Sequence, residues 1–479
     1  MDPQVSRRMV LRYLGGASAV AATALVAACA GQTPPAAPSP AATSAPASSA
    51  PAASAAPASS PAAASQAAPT TAPAAKPASQ AATNKLRYLY NATPGVDEQV
   101  HLDLITLYNK LYPNVQVEKI RVPNDAEIVR KLLAMLAAHD LPDLFWNRQR
   151  TAPPFIDRGV VLDVTPLMAA DKIDQKDFWP SAIETYGRQG KLYGLPNSAS
   201  SNVHYYNVDM FKAAGLPMLS ETVKKGNWNW DSLLSVATQL TKGSGPTKQF
   251  GFGQITSVYA VDMYIWQNGG DLWDANVTQA YFNQPAAVGG IQWLVDNVVT
   301  RKISPSPLDV QSGTDLFAAG RVGIMMAGRY ELPNLAKSKF EVAMVVSPEG
   351  PKANTTRGDD LAASILQEAP NRDNAWNFAK MWSSDDGQKI VLASRRSFAA
   401  RRSFAQSDAM KQNLLPWEDL SAYTNGLERT RAYHAPAQTG EVNNIFDKEL
   451  SLAYSGEQSV KQVTDAMTSQ INAVLKKPL

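Results

Sequence analysis

From residue 84 onward the chain alternates between two hydrophobic periods. Leu86, Tyr88 and Tyr90 fall on one face of a short extended run, and Thr93-Pro94-Gly95 then turns the chain. Val100, Leu104, Leu107, Tyr108 and Leu111 follow at helical spacing until Tyr112-Pro113-Asn114 stops them. Val115 to Ile120 alternates again, and Ile128, Leu132, Leu133, Met135 and Leu136 restore the helical period before Leu144-Phe145-Trp146. A period of two marks a half-buried strand and a period near 3.6 an amphipathic helix, so the pattern predicts strand, helix, strand, helix, strand. Such alternation builds a parallel α/β sheet with helical crossovers. Near the other end, Val460, Val463, Met467, Ile471 and Val474 form the apolar stripe of a closing helix.

The first eighty-odd residues follow neither period. Ser6-Arg7-Arg8, with Leu11 and Arg12 behind it, precedes an apolar run from Ala17 to Ala28 that is short for a membrane span. This is the pattern of a twin-arginine export signal over residues 1–28. The run ends in Leu25-Val26-Ala27-Ala28-Cys29, which resembles the lipobox of bacterial lipoproteins, where the cysteine is lipidated. From Thr33 to Thr83 every residue is Ala, Pro, Ser or Thr except Gln66, Lys76 and Gln80. Nothing there can offset the entropy of ordering a backbone, and the recurrent prolines break helices. Residues 29–83 are therefore expected to be a lipidated cysteine followed by a disordered stalk, holding the rest at a membrane surface outside the cytoplasm.

Charge and chemistry narrow the classes. Forty-five Lys and Arg oppose 42 Asp and Glu for a net +3, and most of that excess lies in the export signal. A nearly neutral mature chain argues against nucleic acid as a partner. Cys29 is the only cysteine, so no internal disulfide forms, and the four histidines show no ligand spacing. No metal, cofactor or catalytic residue is expected.

The run Leu107 to Val117, then Leu132 to Trp146 ending Leu141-Pro142-Asp143-Leu144-Phe145-Trp146, resembles the opening of the family 1 extracellular solute-binding proteins. These are the receptors of sugar importers, the group that includes the maltose-binding protein. Gly190 to Pro196 and Tyr205 to Leu216, Trp230 to Leu233, Asn268 to Asp271, Phe317 to Met326 and Asn371 to Trp382 continue the likeness in order. The resemblance implies a two-lobed, type II periplasmic-binding-protein-like fold, with a central sheet flanked by helices in each lobe and a hinge between them. Lobe one would take 84–198 and 350–400, and lobe two 199–349 and 401–479. Gly194, Pro196, Pro348, Gly350 and Pro351 suit the crossings. It further implies a monomer that captures a mono- or oligosaccharide and passes it to the transmembrane subunits of an ABC permease.

A sugar needs flat rings for its C–H faces and fixed polar groups for its hydroxyls. Trp146 ends a strand, where open α/β sheets place ligands, and the resemblance supports a sugar contact there. Tyr330, after Gly328-Arg329, stands where the family often has a stacking tryptophan, and Arg329 is a candidate beside it. Asn197 and Ser200, with Ser198 and Asn202, fall at the first crossing, although the maltose receptor carries a carboxylate at the place of Ser200. Trp266, Asn268 and Asp271 surround a Gly-Gly turn, and Asp359 follows Gly358 near the second crossing. Arg396, among Arg395, Arg401 and Arg402, could hold a carboxylate or phosphate and shift the ligand toward an anionic solute such as a sugar phosphate. Two other classes compete: a secreted carbohydrate-active hydrolase, which needs a pair of carboxylates about one bond, and a passive surface lipoprotein or adhesin.

Overall fold

A computed structural model describes residues 84–254, 258–308 and 313–477. The export signal, Cys29 and the Ala/Pro/Ser/Thr stretch lie outside the described residues. Thirteen strands occur among the described residues: β1 (Lys85–Asn91), β2 (Gln116–Val122), β3 (Leu144–Arg148), β4 (Gly187–Arg188), β5 (Lys191–Leu192), β6 (Leu195–Ser198), β7 (Val203–Asn207), β8 (Phe250–Gly253), β9 (Val322–Ala327), β10 (Val342–Val346), β11 (Thr356–Arg357), β12 (Leu361–Ile365) and β13 (Thr430–Arg431).

The opening pattern folds as its periods dictate. β1 and β2 run parallel from Lys85↔Gln116 to Asn91↔Val122, and β1 pairs in parallel with β3. The helices Val96–Leu111 and Asp125–Ala137 make the crossovers, and the Asn124 side chain caps the second by accepting from the Glu127 N–H. The three strands read from the pattern are thus parallel as expected, and the sheet continues β2-β1-β3-β12-β6 with an addition the pattern did not foresee, because β12 lies antiparallel to both β3 and β6. β12 is delivered by a distant return of the chain, with no helical crossover to impose a parallel direction. Leu111 and Leu133, counted on apolar faces from spacing, lie exposed.

A second sheet has the order β10-β7-β9-β8, antiparallel except for β8 beside β9. The closing helix Val460–Leu475 packs its stripe into this lobe's core, with Val463, Met467 and Ile471 fully buried. Burial of each such side chain contributes roughly 1.5–3 kcal/mol. Its start is fixed by a capping box in which Ser459 and Gln462 satisfy each other's backbone donors.

Between the sheets the chain crosses in adjacent strands. Ala199 exchanges backbone hydrogen bonds with Phe398 at 3.1 and 2.8 Å, Asn202 donates to the Arg357 carbonyl at 2.7 Å, and Asp359 donates to that of Ser200 at 3.1 Å. β11 pairs in parallel with β13 alongside. Gly358 is required at this junction, since a Cβ there would stand 1.8 Å from the Ser200 carbonyl oxygen. A separate apolar cluster, including Trp179, Tyr205, Phe398 and Tyr423, lies under these crossings.

Candidate functional site

A cavity of about 370 Å³ opens at the crossings. The first sheet supplies Trp146, Arg148 and Arg150 from the carboxyl end of β3 and the loop beyond it, and Asp97 comes from the first helix. The crossing segments supply Ser200, Asn202, Arg357, Gly358 and Asp359, with Arg396 and Ser397 beside them. Tyr330 comes from the segment after β9 of the second sheet. A larger cavity of about 630 Å³ lies against the β4–β5 hairpin and Ala275 to Val277. It presents no Trp or Tyr, and its guanidinium, Arg188, is tied to Asp157 at 2.8 Å.

Charges dominate the smaller cavity. Asp359 Oδ2 accepts from Arg148 at 3.2 Å and Arg150 at 2.6 Å, while Asp125 grips the same two guanidinia at 3.1 and 3.3 Å. Burial alone would raise the Asp359 carboxyl, but Arg150, Arg148 and Arg357 more than offset it and hold the group below its ordinary range. It is therefore a fixed anion and not a proton donor. Arg357 pairs with the fully buried Asp262 at 2.9 Å. Burial pushes that carboxyl up to about 6, opposed by Arg357. Arg396 meets Asp97 at 2.8 Å.

Trp146 does not present a bare face. The Arg148 guanidinium lies 4.5 Å from its ring centroid, Trp382 stacks at 6.4 Å, and His101 meets it edge-on at 4.7 Å. Burial, with the Arg148 charge adding to it, pushes His101 down to about 3, so that imidazole is neutral at pH 7. The ring is thus both a cavity wall and the platform that orients Arg148.

Of the residues expected from sequence, Trp146, Ser200, Tyr330, Asp359 and Arg396 come together around this cavity. The others do not. Asn197 is fully buried, and its backbone carbonyl accepts from Gln388 Nε2 at 2.7 Å. Trp266 and Asp271 line a different cavity of about 260 Å³, where Arg431 pairs with Asp271 at 2.6 Å. Asn268 donates to the Ala286 carbonyl at 2.8 Å. Arg329 is 1% exposed, with its Nε 3.0 Å from Glu418 Oε1 and its Nη1 and Nη2 on the Ser397 carbonyl and Asn413 Oδ1. It braces the fold beneath Tyr330 and does not face the cavity.

Asp97, Arg148, Arg150 and Arg357 were missed. The position of Arg148 and Arg150 after a sheet strand was the available signal, since open α/β sheets gather ligand groups at the carboxyl ends of their strands.

Comparison with known proteins agrees with this architecture. A protein of Brucella abortus (strain 2308), described as a binding protein, is 26% identical over 388 residues, covering 76% of this chain and 87% of that one. The ABC substrate-binding protein Lmo0181 from Listeria monocytogenes, solved in complex with cycloalternan, is 20% identical with a TM-score of 0.70, covering 82% of this chain and 99% of that one. UgpB from Mycobacterium tuberculosis, solved with glycerophosphocholine, is 18% identical with a TM-score of 0.68, covering 81% and 98%. Both solved structures share the two-lobed fold. The model of the bacterial extracellular solute-binding proteins matches residues 93–389, more than half of the chain, and this protein belongs to that family.

Proposed function

We propose that this protein captures a sugar or oligosaccharide in the 370 Å³ cavity and delivers it to the transmembrane subunits of an ABC permease, as a monomer tethered outside the cytoplasm through lipidated Cys29. The observation that carries the reading is the origin of the cavity wall. Trp146 and Arg148 come from one sheet, Tyr330 from beyond the other, and Ser200, Asn202 and Asp359 from the crossings between them. A solute touching all three makes contacts that improve as the lobes approach, and only such contacts drive closure. The names of similar proteins point the same way: one structural neighbour holds cycloalternan, and a Bacillus subtilis relative, 24% identical over 218 residues, is an arabinooligosaccharide-binding protein.

Calorimetry of the purified protein against a panel of mono- and oligosaccharides tests this directly. One sugar should bind, and Tyr330→Ala and Trp146→Ala should each weaken it about tenfold or more, as expected for removal of a buried aromatic wall. Full affinity in both variants would remove this cavity as the site. Turnover of the sugar by purified protein would favour a hydrolase instead. Tethering is tested by fractionation: Cys29→Ala should release the exported protein from membranes.

A further inference from the structure

A site for a neutral polyol needs exposed ring faces and a balance of donors and acceptors. This cavity departs from both. Arg148, Arg150, Arg357 and Arg396 line it against two carboxylates, Asp97 and Asp359. Each guanidinium carries five N–H donors and no acceptor. Asp359 Oδ2 is shared between Arg148 and Arg150 and helps hold the two forks in place, while its Oδ1 has no partner among the described residues. On Arg148 and Arg396, donors remain that meet no partner among the described residues. Arg148 uses Nε toward Asp125 and Nη1 toward Asp359, and its Nη2 meets no partner among the described residues. Arg396 uses Nε toward Asp97, and neither of its terminal nitrogens donates to a described residue. The Trp146 ring, meanwhile, is overlain by the Arg148 guanidinium.

We infer that the captured solute carries an anionic group, a carboxylate or a phosphate, received by Arg148 and Arg396, while Ser200, Asn202 and Tyr330 receive its hydroxylated part. This rests on reading the cavity as the solute site. Planar forks match the paired oxygens of carboxylate and phosphate, a match that a neutral sugar cannot use. Asp125 and Asp262, paired with Arg150 at 3.3 Å and Arg357 at 2.9 Å, hold the guanidinia beside Arg148 in fixed positions.

The test is calorimetry on the full chain with matched pairs: galacturonate against galactose, digalacturonate against a neutral disaccharide, and glucose 6-phosphate against glucose. One acidic member should bind on the order of tenfold or more tighter than its neutral partner, and the advantage should shrink as salt rises from about 20 to 300 mM. Which acidic member wins tells carboxylate from phosphate. Arg396→Gln should abolish the advantage, and Arg396→Lys, which keeps charge but loses the fork, should restore part of it. Arg396 is a rim residue, so thermal unfolding of both variants should match the parent. Neutral sugars binding as tightly as their acidic partners would overturn the inference while leaving sugar capture intact. Failure of every saccharide, neutral or acidic, would remove both.

Discussion

Replacing Arg329 with methionine separates a structural cation from a ligand-binding one. Its side chain is 1% exposed and its partner Glu418 0% exposed, so neither charge has water to fall back on. Removing one member of a buried pair leaves the other desolvated and uncompensated, which costs about 3–5 kcal/mol. Glu418 would keep the Tyr423 hydroxyl at 2.9 Å and the Leu415 N–H at 2.8 Å, which argues for the lower end, about 3 kcal/mol. The Ser397 carbonyl and Asn413 amide, now served by Arg329, lose a donor as well. A loss of this size should lower the unfolding midpoint by roughly 5–10 °C if the second lobe melts as a unit. Urea denaturation followed by tryptophan fluorescence reads the same loss as a shift in midpoint at constant slope. Adding Glu418→Gln should recover part of it, because the orphaned charge is then gone. Solute affinity, measured well below the midpoint, should change little. An unchanged midpoint combined with a large loss of affinity would refute the reasoning and return Arg329 to the ligand.

Stability should also depend on pH in a defined way. Burial pushes His101 and His204 down to about 3, below their unfolded value of about 6.5, so their contribution is present above that value and is lost as pH falls through the window toward 3. Asp262 and Asp360, raised by burial to about 6 and about 7, act oppositely and withdraw stability as pH rises through those values. His204→Leu should therefore flatten the acid limb of urea midpoints between pH 4 and 7, and an unaltered limb would contradict its buried neutral state. Gly358→Ala should lower both the unfolding midpoint and solute affinity, since its Cβ would collide with the Ser200 carbonyl at 1.8 Å; parental values in both would mean the crossing yields easily. Asp271→Ala breaks a pair whose side chains are 39% and 41% exposed, so the cost should stay below about 1 kcal/mol with affinity unchanged. A tenfold affinity loss there would make the Trp266 cavity part of the solute site.

The periodic segments were legible because each buries one face against a single core. Leu86, Tyr88 and Tyr90 do lie inside, as do Val463, Met467 and Ile471. Direction was less legible: nothing local in Leu361–Ile365 says that it runs against its neighbours, because its partners lie far away in sequence. The site was half-visible for a related reason. Rings announce themselves in a sequence, and Trp146 and Tyr330 do border the cavity. Arginines do not, because their role depends on a partner. Arg329 was drawn inward by Glu418, 89 residues on, whereas Arg148 was held at the cavity by Asp125 and Asp359. Two arginines that look alike in the sequence thus acquired opposite roles from carboxylates that no short window contains.

The interleaving of the chain between the sheets governs the order in which the protein can be completed. β12 seals the first sheet between β3 and β6, and the helices Thr439–Ser455 and Val460–Leu475 cover the second core. A ribosome that has released only the first three hundred residues has therefore made neither half whole: the edges of β3 and β6 stand open, and the apolar surface awaiting Val463 and Met467 is bare. Such a chain is open to clumping and proteolysis on both halves until Leu361–Ile365 closes the first sheet, and the second core stays bare until the last helix, Val460–Leu475, has emerged.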